Sequence, residues 1–195
     1  MTTTVRILFI AGSTRKGSLN ERLAHLGADI ARANGIAATL ADLGQYPLPI
    51  YDGDIEAASG PPDNARKLKT LLGEHQGVFI AAPEYNASIT PLLKNTLDWI
   101  SRVRVENEAP LHVFRSRVFA LGAASPGGFG GMRGLMALRQ TLELGLGCLV
   151  LPEQIVVPRA ADAFDDHGHL EDKGVMEAYK ALLQKLARAA QATAG

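Results

Sequence analysis

The stretch AGSTRKGSLN, residues 11–20, sets two glycines, three hydroxyls, an arginine, a lysine and an asparagine between an apolar run and a helix-patterned segment. A phosphate-binding P-loop reads G-x-x-x-x-G-K-[ST]; here residues 12–18 read G-S-T-R-K-G-S, with the lysine ahead of the second glycine. The G-x-G-x-x-G of a dinucleotide turn is absent too, so nucleoside triphosphate hydrolysis loses its support. An anion site remains. Ser18 suits an N-cap, and Leu19, Asn20 and Glu21 would open a helix whose free N–H groups point back into the turn. The positive end of that helix favours a phosphate by about 0.3–2 kcal/mol before direct bonds are counted. Ser13, Thr14 and Ser18 can donate from hydroxyls, and Arg15 can fork onto phosphate oxygens. So many donors converging on one point suit a terminal phosphomonoester better than a buried pyrophosphate. Taken alone, the stretch reads equally as a capped helix after a polar turn.

Two further loops carry unusual chemistry. In PEYNASITPLLKNTLDWI (83–100), Pro83 stops a strand ladder, and Thr90-Pro91 reads as an N-cap with proline in the first helical turn. Tyr85 can flank a planar ring, while Asn86 and loop amides can bond its polar rim; an irregular connector is the alternative. The helix that follows has Leu92 and Trp99 beside a Leu93, Leu97, Ile100 stripe. That surplus apolar surface predicts a subunit interface or a broad core contact. SPGGFGGMRG (125–134) has five glycines in ten residues, which lets backbone approach a flat ligand closely. Arg133 within it can meet an anionic ligand, a partner subunit or solvent.

The elements that must position these loops follow from periodicity. Near-continuous apolar runs at 5–11, 37–41, 77–82, 117–124 and 148–157 read as strands covered on both faces. Between them come helical stripes: Leu19, Leu23, Leu26, Ile30; then Ala65, Leu68, Leu72; then Leu93, Leu97, Ile100. Leu135, Leu138 and Leu142 form a fourth, ended by Gly145 and Gly147, and Val175, Tyr179, Leu182, Leu183 and Leu186 a fifth. The alternation predicts an α/β flavodoxin-like fold, a doubly wound five-stranded parallel sheet of order 2-1-3-4-5 with helices on both faces. In such sheets ligands bind beyond the carboxyl ends of the strands, where the three loops lie. The segment 44–64, with four prolines, reads as a long surface connection rather than a linker, so residues 1–195 form a single domain on this reading.

Composition narrows the classes. Twenty basic and twenty acidic residues balance to zero, so no global field draws the chain to nucleic acid or an anionic membrane. No apolar stretch approaches a membrane span, and the N-terminus reads as a first strand rather than a signal peptide. With Cys148 alone no internal disulfide is possible, which suits the cytoplasm, and its apolar setting predicts a buried inert thiol. His167 and His169 lie in DDHGHLED without cysteine or calcium-loop spacing and read as a solvated loop, so no metal site is expected.

Together GSTRKGSLN, PEYNASITPLLKNTLDW and SPGGFGGMRG resemble the NADPH-dependent FMN reductase family, flavodoxin-like enzymes that include quinone, chromate and azo-dye reductases. The resemblance spans residues 12–134 in register and extends by element pattern to the C-terminus. It implies FMN as cofactor, with Ser13, Arg15, Ser18, Asn20 and the amide of Leu19 at the phosphate. Pro83, Glu84, Tyr85 and Asn86 would line the isoalloxazine, partly through backbone, and Ser125, Gly127 and Gly128 would close its other side. NADPH (or NADH) would pass hydride to the flavin N5, and a small-molecule acceptor such as a quinone, free flavin, azo compound or metal oxyanion would take it. No catalytic acid or base is required. The family implies a homodimer or homotetramer packed through the helix after PEYN. The alternatives are a flavodoxin-type electron carrier, which would usually be strongly acidic, and a flavin-free regulatory domain of the same fold.

Overall fold

The computed structural model describes residues 5–193. Five strands form one parallel sheet: β1 (Arg6–Ala11), β2 (Ala37–Ala41), β3 (Gly77–Ala81), β4 (Val118–Ala124) and β5 (Leu149–Val157). Their order is β2-β1-β3-β4-β5, as the alternation predicts. The helices are α1 (Leu19–Ala33), α2 (Gly53–Ser59), α3 (Asp63–Gly73), α4 (Pro91–Arg102), α5 (His112–Arg115), α6 (Met132–Arg139) and α7 (Lys173–Thr193).

The strands are apolar throughout because each face meets its own helical layer. Ile7, Phe9, Phe79 and Ala81 point to one core with α1 and α7; Leu8, Ile10, Val78 and Ile80 point to the other with α3, α4 and α6. Close approach in the first layer centres on Gly27, where a Cβ would fall 2.0 Å from the Tyr179 hydroxyl. That hydroxyl is fully buried and donates to the Leu23 carbonyl at 3.0 Å.

The edge strand β5 departs from regularity at Pro152, where its register with β4 shifts between Phe119 and Leu121. Proline is tolerated there because an edge strand needs no further ladder donor. The Arg139 guanidinium collects the carbonyls of Leu151 and Pro152 at 2.6 and 3.0 Å. Past Arg139 the α6 helix continues as a π turn, Gln140–Gly145, which keeps Leu142 inside the core.

The 44–64 segment is not irregular throughout: α2 lies within it, capped by Asp52 accepting from the Asp54 amide at 2.8 Å. None of its residues is buried, so no apolar stripe announced it. The same segment covers α4. Trp99 is fully buried, its indole N–H donates to the Pro49 carbonyl at 2.7 Å, and its ring meets Tyr51 edge-on at 5.0 Å. The apolar surplus read on α4 therefore serves an internal contact. Exposed apolar side chains cluster on and before α6, at Phe129, Met132 and Met136.

Candidate active site

The loops after β1, β3 and β4 converge at the carboxyl edge of the sheet, and each pair is tied by specific bonds. The first and second meet where the Gly12 amide donates to the Ala81 carbonyl at 2.9 Å and the Thr90 hydroxyl donates to the Gly12 carbonyl at 2.7 Å. Thr90 also caps α4 by accepting from the Leu93 amide at 3.2 Å. The Thr-Pro cap was legible in sequence, but its hold on the first loop, 78 residues away, was not.

The first and third loops are joined by Asn20. Its side-chain amide donates to the Ala124 carbonyl at 2.9 Å, and its carbonyl accepts from the Ala124 amide at 3.0 Å. Ser125 donates to Val157 on the β5 side, so the polar groups of Ala124 face β3. But β3 has ended at Ala81, and only Ala82 reaches one step further, to the Gly122 carbonyl. The Asn20 carboxamide, shaped like a peptide group, supplies the missing rung. Both ends of the Asn20 side chain are thus engaged with main chain, which leaves at most one amide proton for a phosphate.

The second and third loops are joined by Glu84. Its carboxylate pairs with Arg133 and accepts from the Gly134 amide at 3.2 Å, capping the first turn of α6. Burial pushes the Glu84 carboxyl up, but these hydrogen bonds outweigh it and hold it below the usual carboxylate value. Only its backbone is left to line a ring. Arg133, open among three readings from sequence, is an intramolecular partner that also stacks over Phe129, 5.0 Å from the ring centre.

Within this frame the first turn keeps its donors. Ser18 caps α1 by accepting from the Glu21 amide at 3.4 Å, which leaves its own proton to give. Internal bonds account for the amides of Gly12, Arg15, Ser18, Glu21 and Arg22. The amides of Ser13, Thr14, Lys16, Gly17, Leu19 and Asn20 have no acceptor among the described residues. Arg15 is exposed and forms no ion pair among them. A cavity of about 220 Å³ opens toward β2 beside this turn, but Glu21 and Asp42 on its wall disfavour a phosphate there. The free amides, the Ser13 and Ser18 hydroxyls and Arg15 are the groups that fit one.

The second loop is a two-residue turn. Tyr85 and Ser88 exchange amide bonds at 2.9 and 3.0 Å, with Asn86 and Ala87 at φ of 51° and 62°. Asparagine tolerates that region; alanine is strained in it. The Tyr85 and Asn86 side chains on this turn are both exposed. Pro83 sits against Gly12, where a Cβ would come within 3.2 Å of its ring.

In the third loop the glycines divide by role. Gly130 and Gly131 adopt φ of 59° and 91°, and a Cβ on either would clash, at 2.5 Å with Val156 and 2.6 Å with Ala123. A Cβ on Gly128 would meet nothing within 4 Å, and on Gly127 only the Ser125 hydroxyl at 3.7 Å. Ser125 orders this bend by accepting from the Gly127 amide at 3.3 Å. The open pair can floor a flat ligand.

Elsewhere, burial and the nearby Glu143 carboxylate push the Cys148 thiol up to about 12, as expected of an unreactive group. In the 165–172 segment, Asp165 accepts from the His167 and His169 amides at 2.9 and 2.8 Å, so its carboxylate organises the turn. No helix of the described residues is long and apolar enough to cross a membrane.

Comparison with known proteins bears on this arrangement. The family model for NADPH-dependent FMN reductase matches residues 5–162. The chain belongs to that family. An NAD(P)H-dependent FMN reductase of Pseudomonas aeruginosa is 33% identical over 187 residues, covering 95% of both chains. A quinone reductase of Pseudomonas putida strain KT2440 is 32% identical over 168 residues, covering 86% of this chain and 85% of that one. Among solved structures, the flavoenzyme NAD(P)H:(acceptor) oxidoreductase FerB of Paracoccus denitrificans superposes with a TM-score of 0.77 at 23% identity, covering 97% and 98% of the two chains. The fold is therefore that of the family, and the chain is an oxidoreductase.

Proposed function

We propose that this protein binds FMN at the three tied loops and uses NADPH or NADH to reduce a small acceptor of the quinone type. The observation that carries the reading is the turn at residues 12–20, which holds, among the described residues, six amides without an internal acceptor, the Ser13 and Ser18 hydroxyls and the unpaired Arg15 guanidinium. These groups would hold the phosphate: Ser13, Arg15, Ser18 and the amides from Ser13 to Asn20. Tyr85, Asn86 and the Pro83–Glu84 backbone would form one wall of the ring site, with Ser125, Gly127 and Gly128 opposite. FMN, when bound, supplies two-electron chemistry, accepting a hydride from the nicotinamide and yielding it to the acceptor.

What the chain contributes is position. Asn20, Thr90 and Glu84 fix the loops against one another, so the ring walls need not reorganise when substrates arrive. Tyr85 on the second loop, Phe129 on the third and Met132 at the start of α6 are exposed apolar or aromatic side chains, which suits a flat aromatic acceptor. No carboxylate pair or histidine is called on for proton transfer at the site. Within this reading residues 1–195 act as one cytoplasmic domain, and self-association into a homodimer or homotetramer would use the apolar surface of α6, since that of α4 is covered.

The test is an absorption spectrum of purified protein with FMN added and excess removed, before and after anaerobic NADPH. Retained flavin that bleaches on addition is the expected result. Flavin that is retained but stays oxidised would make the protein a carrier, and a colourless protein would remove the cofactor from the reading.

A further inference from the structure

A cavity of about 430 Å³ shares no residue with the three loops. It lies at the opposite, amino edge of the sheet, because its walls come from the end of α3, which leads into β3, and from Arg117, which precedes β4. On α3 the lining residues Arg66, Lys69, Thr70 and Gly73 recur at helical spacing, so one face of the helix forms a wall, with its C-cap Glu74 at the end. Val103 and Val113, both buried, floor it, and Val105 stands 54% exposed at its mouth. The volume falls in the range of about 300–1,000 Å³ usual for small-molecule sites.

The charge of this lining is unbalanced. Four cations, Arg66, Lys69, Arg104 and Arg117, face two carboxylates, Glu74 and Glu108. Lys69 uses Glu108, and donates to the Val103 carbonyl at 3.0 Å. Arg66, Arg104 and Arg117 have no ion-pair partner among the described residues. Arg66 and Arg104 are exposed at the rim; Arg117 is half-buried and donates to carbonyls, to His75 at 3.0 Å and to Gly73. A partly desolvated guanidinium held only by neutral acceptors gains when an anion joins it. Glu74 on the same wall disfavours a second negative charge.

We propose that this cavity binds a small organic monoanion, a carboxylate at the arginines with a flat apolar body against Val103, Val105 and Val113. The site is separate from the flavin surface and stands or falls independently of it. The probe is 2-naphthoate, titrated into ¹⁵N-labelled protein in excess FMN at low salt and followed by amide chemical shifts. Saturable shifts centred on Gly73, Val103 to Val105 and Val113 are expected. The neutral analogue 2-naphthalenemethanol, and the double variant Arg66→Gln with Arg104→Gln, should each weaken binding at least about tenfold, the equivalent of one lost charged contact. NADPH oxidation by that variant should stay at the wild-type rate. Equal binding of acid and alcohol, shifts confined to residues 83–88 and 125–134, or no saturable shift would each overturn the proposal.

Discussion

Replacing Asn20 by alanine separates two jobs that one residue could hold. If Asn20 is a phosphate ligand, its loss weakens FMN binding and leaves the flavin-free protein as stable as before. If it is the rung that completes β4, its loss strikes the flavin-free protein itself. The side chain is only 3% exposed, and its partners are the amide and carbonyl of a single residue, Ala124. Alanine leaves both main-chain groups in a buried setting without partners, at about 1–3 kcal/mol each. The expected loss is therefore about 2–6 kcal/mol, a large share of the roughly 5–15 kcal/mol that holds a domain folded. For a chain of this size that corresponds to a fall in Tm of about 5–15 °C. The assay is urea unfolding of flavin-free protein, because excess FMN would restore stability by mass action and hide the effect. Asn20→Asp should do no better, since a carboxylate accepts from the Ala124 amide but repels the Ala124 carbonyl. A flavin-free Asn20→Ala protein within about 0.5 kcal/mol of wild type, with FMN affinity lowered tenfold, would refute this argument; ordinary surface substitutions cost that little.

Three further outcomes follow from the same geometry. Gly128→Val should leave the unfolding midpoint of the flavin-free protein unchanged, because the new side chain enters open space, yet lower FMN affinity at least about tenfold in fluorescence titration. Glu84→Ala should cost about 1–2 kcal/mol, the Arg133 half of the pair being exposed, and should speed hydrogen exchange at the Gly134 amide. Because its folded-state carboxyl lies below the usual 4.5, this contribution is present above that pH and is lost as pH falls through the lower value, so wild type and variant should converge in stability at acid pH. His75 is buried, bonded to the Leu71 carbonyl at 2.7 Å and the Thr39 hydroxyl at 2.8 Å, and burial pulls its pKa below 6.5. Its neutral form is the one folded in, so stability is full above about pH 6.5 and declines as pH falls toward the lower folded value; His75→Gln should flatten that part of a Tm-against-pH curve.

What could be read from the sequence was what neighbouring residues decide. Ser18 and Thr90-Pro91 announce helix starts within three residues of themselves, and the paired apolar faces of β1 and β3 appear as unbroken runs. The alternation of these signals carries the parallel, doubly wound sheet; its strand order is favoured by five strands in this length and is not fixed by periodicity. What escaped depends on partners far along the chain. Asn20 meets Ala124 across 104 residues, and Trp99 meets Pro49 across 50. Resemblance places Asn20 at a ligand and the apolar pattern leaves Trp99 between a partner subunit and the core, and each makes these contacts inside the molecule. The helix α2 escaped for the opposite reason: it buries nothing, so only its Asp52 cap marks it.

These long-range ties explain how the candidate site divides its labour. The side chains that a motif would single out, Asn20, Glu84 and Thr90, are consumed in joining one loop to another. The groups left facing outward are mostly main-chain amides, the Gly127–Gly128 bend and a few exposed side chains on rigid turns. Amides fixed by backbone geometry recognise a phosphate without losing rotamer entropy, and a glycine floor accepts a planar ring without a side chain to displace. At the proposed site, affinity for the cofactor would thus depend also on the residues that join the loops, through the positions they impose. On this argument Thr90→Val, which removes a cap and leaves the Gly12 carbonyl without its donor, should weaken FMN binding as well as the fold, although Thr90 lies behind the site. Flavin affinity measured in Thr90→Val protein that is still fully folded, at low temperature, checks this; an unchanged affinity would mean the first loop holds its shape without help from α4.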